Sequence, residues 1–165
     1  AAEPGLDYVA VTRSTDVNEL KRLADIPGLH ALQLHAPFQG DLEGERQLLR
    51  RAREAAGSLD IWRAVNMREA DFAALSGQPF SEVEALVLDS GNGGTGTRFN
   101  WSTIPTEIKS KSFLAGGLHI GNLDEALSVA TAGLDLNSGL EYAPGRKDSA
   151  LISQAFSAIR NYTHS

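Results

Sequence analysis

The chain has 165 residues, of which 42% are hydrophobic, so it suits one domain with a sizeable core. It has no cysteine, which excludes a disulfide framework and any thiolate nucleophile or thiolate metal ligand within these residues. The net charge is -6 without a basic run, which argues against a nucleic-acid surface.

The first residues lack the basic start and long apolar stretch of a secretory signal. The longest apolar runs, such as the one ending at Leu88, are far too short to span a membrane. We therefore expect a soluble, cytoplasmic protein with no membrane partner.

Six short apolar segments, each bounded by Gly, Pro or polar residues, are predicted as β-strands. In chain order they are 6–13, 30–36, 59–67, 84–90, 112–118 and 133–141.

Helical segments are predicted between these strands. The first runs from Asp16 to Asp25, with Asp16 and Glu19 at capping-box spacing. The second covers 43–57 and ends on Gly57. A shorter one covers 68–75.

The second half of the chain carries three further helical segments. A weak one at 101–108 contains Pro105, and Asn122 is predicted to cap the next one. Asp148 begins a final helix that reaches roughly to Tyr162.

Alternating strands and helices predict βαβ units and a parallel sheet, either open and doubly wound or closed as a (β/α)8 barrel. In both layouts, functional groups collect at the carboxyl ends of the strands. Those ends carry a polar and glycine-rich set: Arg13, His35, Asn66, Asp89, Gly116–Gly117 and Ser138–Gly139.

Asp89 follows three apolar residues at the tip of a predicted strand. We expect its site to be partly desolvated, and a carboxyl group in such a place suits a general acid. The alternative is an aspartate that only caps the following turn. Gly93, Gly94 and Gly96 come next, but no Lys-Ser/Thr pair follows them, so the loop is not a Walker A motif.

Two glycine-bearing loops follow the last two predicted strands, one at Gly116–Gly117 and one at Ser138–Gly139. Glycine permits close approach of the backbone, whose N–H groups can hold a phosphate. In (β/α)8 barrels, such a pair of loops forms a phosphate site. Tight turns without a ligand are the alternative.

His35 stands at the end of an apolar strand beside Gln33, where a lone histidine is more often structural than catalytic. The sequence has no HExxH motif, no set of His and Asp with metal-ligand spacing, and no GxSxG nucleophile elbow. No metal is expected.

Four motifs occur in order along most of the chain: LQLHA, LVLDSGNGGTGTRFNW, FLAGGLHIGNLDEAL and GLDLNSGLEYAPGRKD. They resemble those of phosphoribosylanthranilate isomerase, a tryptophan-biosynthesis enzyme. The resemblance implies a (β/α)8 barrel and an Amadori rearrangement of N-(5-phosphoribosyl)anthranilate, a small phosphorylated substrate. It implies no cofactor.

The resemblance also implies roles for individual residues. Asp89 is the general acid, and Asp135 lies near the substrate hydroxyls. Gln33 and His35 lie at the mouth of the barrel. The phosphate is held by backbone N–H groups of Gly116, Gly117, Ser138 and Gly139.

The chain departs from the family pattern in several places. The family's first strand carries a cysteine general base, and an early arginine meets the anthranilate carboxylate, whereas this chain has no cysteine and its first strand resembles the family's third. Ala36 and Asn137 replace a usual Gly and Ser. We expect about six of the eight βα units here, with the base and the arginine on an N-terminal segment of roughly 50 to 70 residues.

Three readings of the whole protein stay open. The first is an isomerase domain, for which the resemblance implies fusion to or association with indole-glycerol-phosphate synthase, as is common in the family. The second is a non-catalytic domain, either a barrel remnant that binds a phosphorylated ligand or a fused domain kept for assembly. The third is another phosphosugar isomerase on the same fold, since one fold hosts many chemistries.

Overall fold

The computed structural model describes residues 5–69, 75, 77, 80–90 and 98–163. Strands and helices alternate along it as the sequence predicts. The strands are β1 Tyr8–Thr12, β2 Leu29–Leu34, β3 Asp60–Asn66, β4 Ala85–Asp89, β5 Ser112–Leu114, β6 Gly133–Leu134, β7 Glu141–Ala143 and β8 Arg146–Lys147. The helices are α1 Val17–Ala24, α2 Leu42–Ala56, α3 Thr106–Lys109, α4 Leu123–Ser128 and α5 Ser149–Thr163. The helix predicted at 68–75 lies mostly outside the described residues.

The first six strands form one sheet in the order β1-β2-β3-β4-β5-β6. The pairs β1–β2, β2–β3 and β5–β6 are parallel, as predicted. The order follows the chain without the reversal that defines a doubly wound sheet. The doubly wound alternative is therefore wrong for this sheet.

The chain divides into two compact units. The first contains Ala1–Val65 and Ala70–Leu86, and the second contains Asn66–Glu69 and Val87–Ser165. Among the described residues, no helix is both long enough and apolar enough to cross a membrane.

In the first unit, α1 and α2 pack against each other and their sequence signals are confirmed. The Asp16 side chain accepts a hydrogen bond from the Glu19 N–H at 2.9 Å. Helix α2 begins one residue earlier than predicted because Asp41 caps it, accepting from the Gly44 N–H at 2.7 Å. Gly57 ends it with a φ of 62°, a conformation that favours glycine.

In the second unit, Leu123, Leu140 and Ala155 form a small core between α4 and α5. Asp148 begins the last helix as predicted, accepting from the Ala150 N–H at 2.8 Å. Asn122 is the N-cap residue of α4 as predicted, but its side chain makes no cap hydrogen bond to that helix.

Two predicted strands of this unit are shorter than expected. The strand at 112–118 ends at Leu114, because Gly116 and Gly117 adopt φ values of 78° and 70°. The strand at 133–141 ends at Leu134, and an antiparallel hairpin of β7 and β8 follows. The Pro-Gly pair that makes its turn, with Gly145 at φ 72°, was the overlooked signal.

Candidate active site

Asp89 ends β4, whose four preceding residues are all buried. Its backbone carbonyl accepts a hydrogen bond from the Met67 N–H at 2.8 Å, and the Leu88 carbonyl accepts one from the Ala115 N–H at 2.9 Å. Hydrogen bonds to both neighbouring segments therefore fix the backbone at the end of β4. The Asp89 side chain, which is half-buried, extends from this fixed backbone. The Ser90 hydroxyl lies 3.4 Å from the Asp89 Oδ1.

Gly116 lies directly against this carboxylate. A Cβ at Gly116 would sit 2.7 Å from the Asp89 Oδ1 and 2.5 Å from the Ser90 Oγ. Neither distance leaves room for a side chain, and the φ of 78° also favours glycine. The structure thus brings together two residues that the sequence singled out separately.

A capping arrangement fixes the rest of this loop. The His119 N–H donates to the Asn122 Oδ1 at 2.9 Å, and the Gly121 N–H donates to the His119 Nδ1 at 3.1 Å. The Asn122 amide also donates to the Gly117 carbonyl at 2.9 Å. Sequence reasoning missed this role, although the three-residue spacing of His119 and Asn122 is that of a capping box.

The two glycine-bearing loops lie side by side, as predicted. His119 and Gly139 form a parallel bridge, and a Cβ at Gly139 would sit 1.8 Å from the Leu118 carbonyl oxygen. Ser138 is exposed beside this contact. Asp135 is also exposed, and its backbone N–H donates to the Leu114 carbonyl at 2.8 Å.

Lys147 braces the second loop. Its ammonium group donates to the Asn137 carbonyl at 2.9 Å and to the Glu141 Oε1 at 2.7 Å, and it also contacts the Asn137 side-chain oxygen. An ammonium group has three donors, so these contacts use all of them. Lys147 therefore holds the loop that carries Ser138 and Gly139.

The hydrogen bonds of Glu141 make this brace sensitive to acid. The Lys147 ammonium, and secondly the Gly145 N–H, hold the pKa of Glu141 below its ordinary value of 4.5. A depressed carboxyl pKa stabilises the folded hairpin above the unfolded-state value, and this contribution is lost as the pH falls through the folded-state value.

We expect Lys147→Met to move the midpoint of the Gly145 amide titration upward, toward the ordinary pKa of glutamate. The measurement is an NMR pH titration of the wild type and the variant. Identical midpoints would show that Lys147 does not set the pKa of Glu141.

Gln33 and His35 belong to the first unit. Gln33 is 7% exposed and lies in β2, in register with Val11 on one side and Trp62 on the other. His35 follows the strand, is half-buried, and donates its backbone N–H to the Thr12 carbonyl at 2.8 Å. The second unit holds the remaining predicted site residues, and Gly93, Gly94 and Gly96 lie outside the described residues.

In the part of the chain that the structure describes, no group of three or more His, Asp or Glu could hold a metal ion.

Residues 1–158 match the family model of N-(5'-phosphoribosyl)anthranilate (PRA) isomerase. The chain belongs to the PRA isomerase family. It is 40% identical over 169 residues to the tryptophan biosynthesis protein TrpCF of Corynebacterium glutamicum, covering 98% of this chain and 35% of that protein. It is 35% identical to TrpCF of Yersinia pestis, covering 95% of this chain and 31% of that protein. The chain thus spans about a third of the length of these curated relatives.

Solved PRA isomerase structures share the fold. The phosphoribosyl anthranilate isomerase of Thermus thermophilus superposes with a TM-score of 0.77 at 25% identity, covering 98% of this chain and 76% of that one. The enzyme of Thermococcus kodakaraensis gives 0.63 at 26% identity, covering 92% and 73%. The α/β sheet described above therefore matches the sheet of PRA isomerases.

Proposed function

We propose that this chain catalyses, as part of a complete PRA isomerase, the conversion of N-(5-phosphoribosyl)anthranilate to 1-(o-carboxyphenylamino)-1-deoxyribulose 5-phosphate. The observation that carries the proposal is the contact of Asp89 with Gly116. It sets a carboxyl group beside a glycine backbone at the ends of β4 and β5. A carboxyl group can donate the proton that ring opening needs, and a glycine backbone beside it can hold a phosphate.

Asp89 acts as the general acid. Its proton goes to the furanose ring oxygen while the bond from that oxygen to C1 breaks, and the anthranilate nitrogen lone pair forms a protonated Schiff base at C1. A base then removes the proton from C2, and the resulting enol tautomerises to the ketone. Each proton transfer is general acid–base chemistry and needs no cofactor.

The substrate phosphate binds to backbone N–H groups of Gly116, Gly117, Ser138 and Gly139. Support comes from the positive φ values of the first two and from the bridge that joins their loop to Gly139. Asp135 lies near the substrate hydroxyls in this proposal, which its exposure directly after β6 supports. Gln33 and His35 contribute from the carboxyl end of β2.

The general base is a cysteine, and the anthranilate carboxylate pairs with an arginine, both on βα units other than the six described. The sequence-ordered sheet supports a (β/α)8 barrel as the complete fold. Relatives named TrpCF support a natural partnership, by fusion or association, with indole-glycerol-phosphate synthase. The pathway supports a cytoplasmic location.

Two variants of Gly117 test the phosphate site. Gly117 has a φ of 70°, which asparagine tolerates better than most side chains, so Gly117→Asn adds bulk without charge. Gly117→Asp adds the same bulk with a negative charge. By calorimetry with inorganic phosphate, we expect Gly117→Asp to weaken binding well beyond Gly117→Asn. Equal phosphate affinity in the wild type and in Gly117→Asp would show that the phosphate does not bind at this loop.

A further inference from the structure

Arg63 and Glu45 form a completely buried ion pair in the first unit. Their side chains are 3% and 0% exposed. The Arg63 Nε lies 2.5 Å from the Glu45 Oε1, and one terminal nitrogen lies 3.2 Å from the Glu45 Oε2. Arg63 is in β3 and Glu45 in the first turns of α2, so the pair joins a strand to a helix.

The guanidinium group also collects backbone carbonyl groups around the end of β2. It donates to Leu34 at 3.2 Å, Ala36 at 2.7 Å and Pro37 at 3.3 Å, and to Ala64 of its own strand at 2.8 Å. The Glu45 Oε2 in turn accepts from the Gln39 N–H at 3.3 Å.

These contacts hold the backbone on both sides of His35. The chain is held immediately before it at Leu34 and immediately after it at Ala36 and Pro37. The His35 N–H is bonded to β1 through the Thr12 carbonyl. The backbone of a candidate substrate-binding residue is thereby fixed from three elements.

A buried ion pair is a poor device for stability alone, because the cost of removing both charges from water offsets their attraction. A second pair in the same unit shows the contrast. Arg53 and Glu84 are about 40% exposed, and they bind the Leu59 carbonyl and the Ile61 N–H near the amino end of β3. Burial raises the pKa of Glu84, but the Arg53 and Ile61 hydrogen bonds outweigh it and hold the pKa below 4.5. The exposed pair therefore lies near the amino end of β3, and the buried pair contacts the carboxyl end of β2. In (β/α)8 barrels, residues at the amino ends of the strands contribute to stability, and those at the carboxyl ends form the active site.

We propose that Arg63 and Glu45 are positioning residues that fix the segment Leu34–Gln39, and with it His35, in the orientation that binds substrate. The proposal rests on the proposed function. A planar guanidinium can bind a carboxylate and several carbonyl groups at once, whereas the lysine ammonium is a single point with three donors. The shape of the group, and not only its charge, is therefore what the segment needs.

The test compares Arg63→Lys with Arg53→Lys as a matched control, since both are arginines paired with glutamate in one unit. The probes are a reduced, unreactive analogue of the product and inorganic phosphate, with binding measured by calorimetry at a temperature where each variant is folded. We expect Arg63→Lys to weaken binding of the analogue by about tenfold or more, since misplacement of a site residue is that costly. Phosphate affinity should stay at the wild-type value in both variants, and analogue affinity should stay there in Arg53→Lys.

Hydrogen exchange of the wild-type chain is a second test and needs no variant. If the ion pair fixes the segment Leu34–Gln39, the amide hydrogens of His35 and Gln39 exchange as slowly as those of the core strands. Exchange through local opening would overturn the proposal, as would normal analogue binding by Arg63→Lys or an equal loss in Arg53→Lys. If the wild type bound the analogue no better than phosphate, the proposed function would fail, and hydrogen exchange alone would decide whether the segment is locked.

Discussion

Replacing Asp89 by asparagine is expected to lower the kcat of a complete PRA isomerase containing this chain by at least about 10²-fold, the usual scale of general acid catalysis. Asparagine has the shape of aspartate and can still accept from the Ser90 hydroxyl, but it has no proton to give to the ring oxygen. The fold and the affinity for the product analogue should therefore be retained. Steady-state kinetics and calorimetry on the same preparation separate the two effects.

Asp124→Asn is the matched control for this variant. Asp124 is an exposed residue in the first turn of α4, in the same unit as Asp89 and outside the site. The Asp124→Asn variant makes the same chemical change as Asp89→Asn, and its kcat should equal that of the wild-type protein. Near-normal turnover in Asp89→Asn would mean that another group protonates the ring oxygen.

Residues 1–165 alone should show no measurable isomerase activity. They contain no cysteine, and the family resemblance assigns the removal of the C2 proton to one. A separately expressed fragment with the first two βα units of a complete PRA isomerase should restore turnover, because it supplies the base, the carboxylate-binding arginine and a strand for the exposed edge of β1. The measurement is the rate of product formation with and without the fragment.

The control is the same fragment with its cysteine replaced by alanine, which should restore pairing of the sheet but not turnover. If the 165-residue chain isomerises the substrate by itself, the base lies within it, and His35 is the first candidate. If the assembled protein binds phosphate but never turns over substrate, the alternative interpretation is correct, and the chain is a non-catalytic phosphate-binding domain.

The sheet was predictable because its strands have simple local causes. Segments such as Ala85–Leu88 are apolar throughout and end at a polar residue, which is typical of a strand buried on both faces. Helix α2 has an N-cap aspartate and a C-terminal glycine, each of which acts within one turn. The candidate residues Asp89 and Gly116 were likewise visible, because both follow apolar strands directly.

The contacts between those residues were not predictable, because they depend on partners far apart in sequence. Arg63 binds Glu45 and the carbonyl groups beyond β2, and nothing in the sequence around Arg63 specifies either. The strand predicted at 133–141 is present only as Gly133–Leu134, because the last residue of the predicted range belongs to a hairpin that turns at the Pro-Gly pair after Ala143. The brace from Lys147 to Asn137 depends on that hairpin and was missed with it.

A crystal structure of the assembled protein with the reduced product analogue would test most directly whether Asp89 and the two glycine-bearing loops form one active site. We predict the phosphate within hydrogen-bond distance of the Gly117 and Gly139 N–H groups. The Asp89 carboxyl group should lie beside the hydroxyl that corresponds to the substrate's ring oxygen. A phosphate bound elsewhere, or an analogue whose sugar chain runs away from Asp89, would contradict the account.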